Sequence, residues 1–227
     1  MLEGNPVHVA IIMDGNRRWA KKNHLPTFFG YRRGIHTVSE SIQAALKNNI
    51  NYLTLFAFST ENWKRPQYEV TYLMGLFLRS IEHYSTLLMK ENICVHCIGD
   101  LNKLDEILFK KITSLQEKTK HNRRLFLTIA INYGSYDELV RAISKIPTSK
   151  LNNYSWEMIR QYLDTRNLPD VDIFIRTSGE QRLSNFLLLQ SAYAELFFVK
   201  KFWPEFTQQD FETILEEYQL RGRSFGR

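Results

Sequence analysis

Cysteine is scarce in this 227-residue chain. Cys94 and Cys97 are its only two, which excludes a disulfide framework and leaves one Cys-Val-His-Cys spacing as the sole hint of a thiol site. The spacing sits in a run that reads as a short strand, where residues three apart point to opposite faces, and no second ligand pair exists elsewhere. Two buried, reduced thiols are expected. Long apolar runs are missing too: none reaches about eighteen residues, and the most apolar stretch, 186–199, is broken by Gln190 and Glu195. A spanning helix is therefore excluded, and any membrane association is expected to be peripheral. Residues 1–6 carry no basic-then-apolar leader, so a cytoplasmic location is expected. Neither Gly-x-x-x-x-Gly-Lys nor Gly-x-Gly-x-x-Gly occurs, which removes the common phosphate loops. Acidic residues vanish from 15–39, where Arg17, Arg18, Lys21, Lys22, Arg32 and Arg33 remain, so this stretch is either an anion trap or a basic surface.

The rest of the composition, 44% hydrophobic and 24% charged, is that of a globular protein able to bury a core. A formal charge of +6 favours anionic partners without choosing among them. Apolar runs at 7–13, 53–58, 93–98, 125–131 and 171–175 look like buried parallel strands. Between them lie stretches of helical period. The clearest follows Pro66, with Val70, Leu73, Met74, Phe77, Leu78, Ile81, Tyr84, Leu87 and Leu88 at three- and four-residue steps. Alternating strands and helices predict an α/β fold with a central, mainly parallel β-sheet flanked by helices. One domain over 1–227 is expected, with a surface loop at 146–154 and a basic tail at about 220–227.

In such folds ligands gather outside the carboxyl ends of the strands. The residues there are Asp14-Gly15-Asn16-Arg17-Arg18-Trp19, then Ser59 to Pro66, then Asn132-Tyr133-Gly134, then Arg176 to Asn185. They supply arginines, small hydroxyls and glycines, the parts that hold a diphosphate. Asp14 is an oxygen ligand of the kind Mg²⁺ takes beside substrate phosphates, or else a turn or cap residue. Gly15 permits close backbone approach, and a helix after it would offer free amides. Arg17 and Arg18 would add charge, unless they form a solvated helix face.

Three blocks, His8 to Asn16, Phe58 to Pro66 and Ile175 to Phe186, together with Tyr193-Ala194-Glu195-Leu196, resemble the signature segments of the cis-prenyltransferases of the undecaprenyl diphosphate synthase type. The chain lacks the Asp-Asp-x-x-Asp pair of trans-type enzymes. The resemblance implies a homodimeric, Mg²⁺-dependent enzyme enclosing a hydrophobic tunnel, with farnesyl diphosphate and isopentenyl diphosphate as substrates and a product delivered to the membrane. Asp14 becomes a catalytic, metal-associated carboxylate joined by Glu195, and Asn62 the proton-handling residue. Gly15, Asn16, Arg17 and Arg18 would cradle the allylic diphosphate, with Trp19 and Tyr31 nearby. Arg176, Arg182, Leu183 and Ser184 would hold the isopentenyl diphosphate, and Ser59, Thr60, Glu61, Trp63 and Arg65 complete the substrate-binding set.

The pattern departs at four places. Thr27 and Tyr31 stand where the family has Arg and His, predicting weaker or rearranged allylic diphosphate binding unless Arg32 or Arg33 compensates. Gln181 replaces a histidine near the metal, and Ser224 replaces an arginine in the tail. Two rival readings are a non-catalytic partner subunit of the same fold and a basic nucleic-acid-binding protein. The first leaves Asp14 unexplained. The second explains the charge but neither Asp14 nor Glu195, so no nucleic acid is expected.

Overall fold

The first apolar run, His8–Ile12, forms strand β1 and is buried at every residue, as a strand covered on both faces must be. The computed structural model of the chain describes residues 7–147 and 155–221. After β1 come α1 (Asn16–Lys22), α2 (Thr27–Lys47), β2 (Tyr52–Ser59), α3 (Gln67–Lys90), β3 (Ile93–Ile98) and α4 (Glu106–Thr119). They are followed by β4 (Leu125–Tyr133), α5 (Ser135–Ser144), α6 (Trp156–Arg160), β5 (Ile173–Arg176), β6 (Glu195–Phe198) and α7 (Gln208–Leu220). Five of the six strands are those expected from the apolar runs; the four-residue β6 is too short to show a period. Most of the loop expected at 146–154, and the tail from 222, lie outside the described residues.

The strands pair in parallel in the order β3-β4-β2-β1-β5-β6. From β1 the chain builds the sheet to one side through β2, β3 and β4, and only then crosses to the other side at β5. The carboxyl ends of β1 and β5 therefore border the crevice where strand order reverses, the favoured ligand position of open α/β sheets. Register sets Ile12 opposite Arg176, so the residues just beyond β1 face the end of β5.

Alternation along the strands fills two cores. Val9 and Ile11 pack in the larger, with residues of α2, α3, α4 and α7. Ala10 and Ile12 pack in the smaller, with Phe174, Phe186 and Leu187. On that second side the buried carboxylate of Glu138 accepts from the Tyr133 hydroxyl at 2.6 Å, from both Thr165 donors at 3.0 Å and from Gln190 at 3.3 Å. Burial raises its pKa, and these donors oppose the rise. Both cysteines are free; Cys97 is buried as expected, its thiol pushed up to about 12 by that burial, whereas Cys94 is only half-buried.

His8 is fully buried in β1. Its Nδ1 lies 2.9 Å from the Pro169 carbonyl, which can only accept, so Nδ1 carries the proton and Nε2 accepts from the Thr54 hydroxyl at 2.8 Å. Burial holds the ring neutral and its pKa below the ordinary 6.5, outweighing the opposing pull of Pro169 and Asp172. Because the folded pKa is depressed, the unfolded chain takes the proton first. Stability is then unaffected above about pH 6.5 and lost as pH falls below it, by at most about 1.4 kcal/mol per pH unit for one group. Urea unfolding midpoints should be flat at neutral to mildly alkaline pH and decline on acidification into the mildly acidic range. His8→Asn should shallow that decline, and a parallel decline in both proteins would contradict the assignment.

Candidate active site

Asp14 follows β1 and Arg176 ends β5. Their side chains meet at the switch point, Arg176 Nη2 donating to Asp14 Oδ2 at 2.9 Å. The Arg176 side chain is 5% exposed, so its charge must be satisfied locally. Its Nη1 donates to the Ser184 hydroxyl and to the Arg182 carbonyl, each at 2.6 Å, while Nε is buried without a partner among the described residues. The loop that brings Ser184 there is conformationally demanding: Ser178, Ser184, Asn185 and Leu187 all have positive φ. Asp14 is fixed from its backbone as well, its carbonyl accepting from the Thr177 hydroxyl at 2.7 Å and the Trp203 amide at 2.9 Å.

Gly15 carries the chain from β1 into α1 with φ of 105°, and a Cβ there would lie 2.8 Å from the Phe202 ring. No side chain caps α1, so its first amides stay open for an anion. Arg18 reaches back to Asp14 at 3.1 Å and across to Glu180 at 2.6 Å. Glu180 also pairs with Arg182, and the two guanidinium groups hold its carboxyl below the usual range. An arginine of α1 and one from the loop after β5 thus converge on one anionic group. α2 runs hard against this turn because Gly30 has no side chain: a Cβ there would stand 2.1 Å from the Asn16 carbonyl oxygen.

After β2 the chain makes a 3-10 turn, Thr60–Lys64, in which the Asn62 side-chain carbonyl accepts the Ser59 amide at 3.1 Å. Burial of Glu61 is outweighed by hydrogen bonds from its own amide, Ser59, Asn185 and Thr60, which hold its pKa low. Trp63 turns away from the crevice to donate to Asn132 at 2.7 Å.

A group that sequence reasoning missed lies beside this turn. Glu69, in the first turn of α3, is 4% exposed. It accepts from Tyr31 at 2.6 Å and from Arg65 at 3.1 Å, with Arg17 at 3.8 Å, and Arg65 also donates to the Tyr31 oxygen at 3.0 Å. Burial and donation to Glu69 push the Tyr31 hydroxyl well above its ordinary pKa. Tyr31 is therefore a neutral donor committed to Glu69. Arg33 pairs with His36 and Glu40, and Arg32 is exposed, so the compensation expected of these two is not formed at Tyr31.

The polar crevice opens into one cavity of about 1250 Å³. Asp14, Gly15, Asn16, Arg17, Arg18, Tyr31, Ser59, Glu61, Asn62, Arg65, Arg176 and Ser184 line its head. Its body is apolar, walled by Ile35, Val38 and Ile42 of α2, by Leu73, Leu76, Phe77, Ile81, Tyr84, Leu87 and Leu88 of α3, and by Leu55 and Leu127 of the sheet. Trp19, Thr60, Trp63, Arg182 and Leu183 are near this head but not on its wall.

Glu195, expected to join Asp14 at the metal, lies at the far end of the sheet from it within the chain. It opens β6 opposite Ile173, which is itself opposite Val9, so it stands at the amino ends of the strands. Asp14 lies about 16 Å further along at 3.3 Å per residue. Glu195 pairs instead with Arg221 at 2.9 Å, so within one chain it is no metal partner of Asp14. No group of three His, Cys, Asp or Glu able to hold a metal occurs among the described residues. A single carboxylate beside a ring of arginines still fits Mg²⁺, which keeps several waters and needs only one or two carboxylates when phosphate oxygens supply the rest.

A family model for putative undecaprenyl diphosphate synthase matches residues 12–226. An isoprenyl transferase of Thermotoga maritima is 48% identical over 97% of each chain. A ditrans,polycis-undecaprenyl-diphosphate synthase of Haemophilus influenzae, named as (2E,6E)-farnesyl-diphosphate specific, is 43% identical over 97% of this chain and 95% of its own. Among solved structures, lavandulyl diphosphate synthase of Lavandula x intermedia in complex with dimethylallyl diphosphate superimposes with a TM-score of 0.93 at 31% identity, covering 98% of this chain and 99% of that one. A fold whose switch point joins an arginine-rich crevice to an apolar cavity, and sequence identity that runs nearly end to end, lead to one conclusion: the chain belongs to the undecaprenyl diphosphate synthase family of prenyltransferases.

Proposed function

We propose that the chain condenses isopentenyl diphosphate repeatedly onto farnesyl diphosphate with cis double bonds, making undecaprenyl diphosphate, a lipid-carrier precursor for the cell wall. One observation carries this reading: the Asp14 and Arg176 crevice opens directly into an apolar cavity of about 1250 Å³. A substrate charged at one end and hydrocarbon at the other matches that division. The farnesyl specificity in the Haemophilus influenzae relative's name supports the choice of starter.

Arg17, Arg18 and the open amides of α1 hold the allylic diphosphate. Arg176, Arg182 and Ser184 serve the isopentenyl diphosphate. Asp14 would hold Mg²⁺ together with diphosphate oxygens, and the ion, when bound, supplies charge neutralisation on the leaving group. The arginines are already oriented by Asp14, Glu180 and Ser184, so little reorganisation is needed as charge develops. The allylic carbon–oxygen bond breaks, a carbon–carbon bond forms, and one proton leaves the isopentenyl unit. Asn62 has its carbonyl engaged by Ser59, so it positions substrate while a diphosphate oxygen takes the proton. α2 and α3 form the walls of the tunnel for the growing chain.

The protein works as a single-domain homodimer in the cytoplasm. Strand β6, at the edge of the sheet among the described residues, with Leu196 on it and Tyr193 just before it exposed, supplies a face for a second copy. No helix among the described residues is long and apolar enough to cross a membrane. The product is handed to the membrane by an enzyme that docks peripherally.

Incubation of the purified chain with farnesyl diphosphate, labelled isopentenyl diphosphate and Mg²⁺ should give undecaprenyl diphosphate by mass spectrometry; no elongation at all would favour a non-catalytic partner subunit. Asp14→Asn should lower kcat by roughly 10²–10³-fold, the scale of losing one preorganised electrostatic group, and near-normal turnover would remove Asp14 from the chemistry. Tyr31→Phe leaves Glu69 without its hydroxyl donor and frees Arg65 to re-aim. The allylic KM should rise roughly tenfold, about 1.4 kcal/mol, with kcat little changed. An unchanged KM would show that the Tyr31 network does not set allylic binding.

A further inference from the structure

The start of α2 carries apolar side chains that the active site does not use. Phe28 is 41% exposed and Phe29 38% exposed, and neither lies on the cavity wall. Their rings stack at 4.5 Å, and Phe28 also meets Tyr72 of α3 at 6.0 Å. Tyr68, four residues before Tyr72 and so on the same side of α3, is 76% exposed. An aromatic ridge therefore crosses from one helix to the other on the outside of the molecule. Isolated exposed apolar residues need no explanation, but a contiguous ridge does.

Among the described residues, the exposed charge beside the ridge is cationic. Its α2 half lies in the stretch 15–39 that lacks Asp and Glu. Arg32 is exposed and has no carboxylate partner among the described residues, and the Arg79 guanidinium lies over the Tyr72 ring at 5.9 Å. The carboxylate of Glu69 is buried beneath and committed to Tyr31 and Arg65. Leu25, 38% exposed, lines the cavity just before the ridge, so the ridge borders the cavity's mouth.

We propose that this ridge is the surface by which the enzyme docks on an anionic phospholipid bilayer. Aromatic rings that tolerate both water and hydrocarbon, rimmed by cations, suit the boundary between acyl chains and anionic headgroups. Placed there, the mouth of the cavity faces the phase in which a long hydrocarbon product dissolves. The proposal deepens the peripheral docking inferred above and rests on it.

The test is co-flotation of the full-length protein with phosphatidylglycerol-containing vesicles and with pure phosphatidylcholine vesicles. Wild type should float with the first and much less with the second. The Phe28→Glu, Phe29→Glu double variant should bind the anionic vesicles at least roughly tenfold more weakly, as expected for withdrawing two aromatic rings from an apolar phase. Its elongation rate in detergent and its dimeric state by light scattering should match wild type. Tyr68→Glu, at the most exposed ring, should weaken flotation without endangering the fold. Wild-type flotation that all these variants retain would overturn the ridge while leaving peripheral docking intact. Failure of the wild type to float would remove both. Loss of the dimer in the double variant would make the ridge a contact between copies, and binding to heparin but not to vesicles would make it a polyanion surface; either result overturns the proposal.

Discussion

The contact between Asp14 and Arg176 organises everything around it. A guanidinium with 5% exposure is costly to bury alone, and removing the partner of a fully buried charge typically costs about 3–5 kcal/mol. The cost here is lower, because Asp14 remains 27% exposed and Ser184 and the Arg182 carbonyl share the load. What the pair secures is position. It ties the end of β1 to the end of β5 and draws the 178–187 loop, with its positive-φ residues, over the crevice. It also leaves a cationic surface whose geometry is set before any anion arrives. Such preorganisation is what a reaction that expels diphosphate requires.

The second constraint is the dry space beside the charges. α2 approaches the turn after β1 because Gly30 and Gly34 offer no Cβ to the Asn16 carbonyl and side chain. Trp203 then clasps α2, its indole N–H donating to the Gly34 carbonyl at 2.9 Å. α3 borders the cavity, and its apolar stripe divides between core and cavity wall: Val70 is packed in the core while Phe77 and Ile81 line the cavity. Tyr31, Arg65 and Glu69 join α2 to α3 at the mouth. One buried carboxylate thus holds Arg65 and Tyr31 together across the two helices.

The sheet was largely legible because parallel strands buried on both faces read as plain apolar runs, and five of them appear in the sequence. β6 was not, since four residues beginning with a glutamate show neither a run nor a period. Asp14 and Arg176 were each legible as residues following a strand. That they touch was not, because strand order sets β1 beside β5 and joins residues 162 positions apart, which no local pattern encodes. The same lack of order information hid the position of Glu195: the Tyr-Ala-Glu-Leu segment resembles a family block, and register carries it to the amino end of the sheet, away from Asp14 of the same chain. Glu69 escaped notice because an acid in a helix's first turn is ordinarily read as complementing the helix dipole. Its spacing of four from Arg65 was the available signal; the approach of Tyr31 from another helix was not visible.

The central claim is that the polar crevice and the apolar cavity are one substrate site, divided as the substrate is divided. A structure with an unreactive thio analogue of the allylic diphosphate bound measures this directly. The diphosphate is expected within hydrogen-bonding distance of Arg17 or Arg18, with the hydrocarbon running between α2 and α3 past Ile35 and Phe77. A diphosphate bound away from Asp14 and the α1 turn, or a hydrocarbon lying outside the cavity, would contradict it.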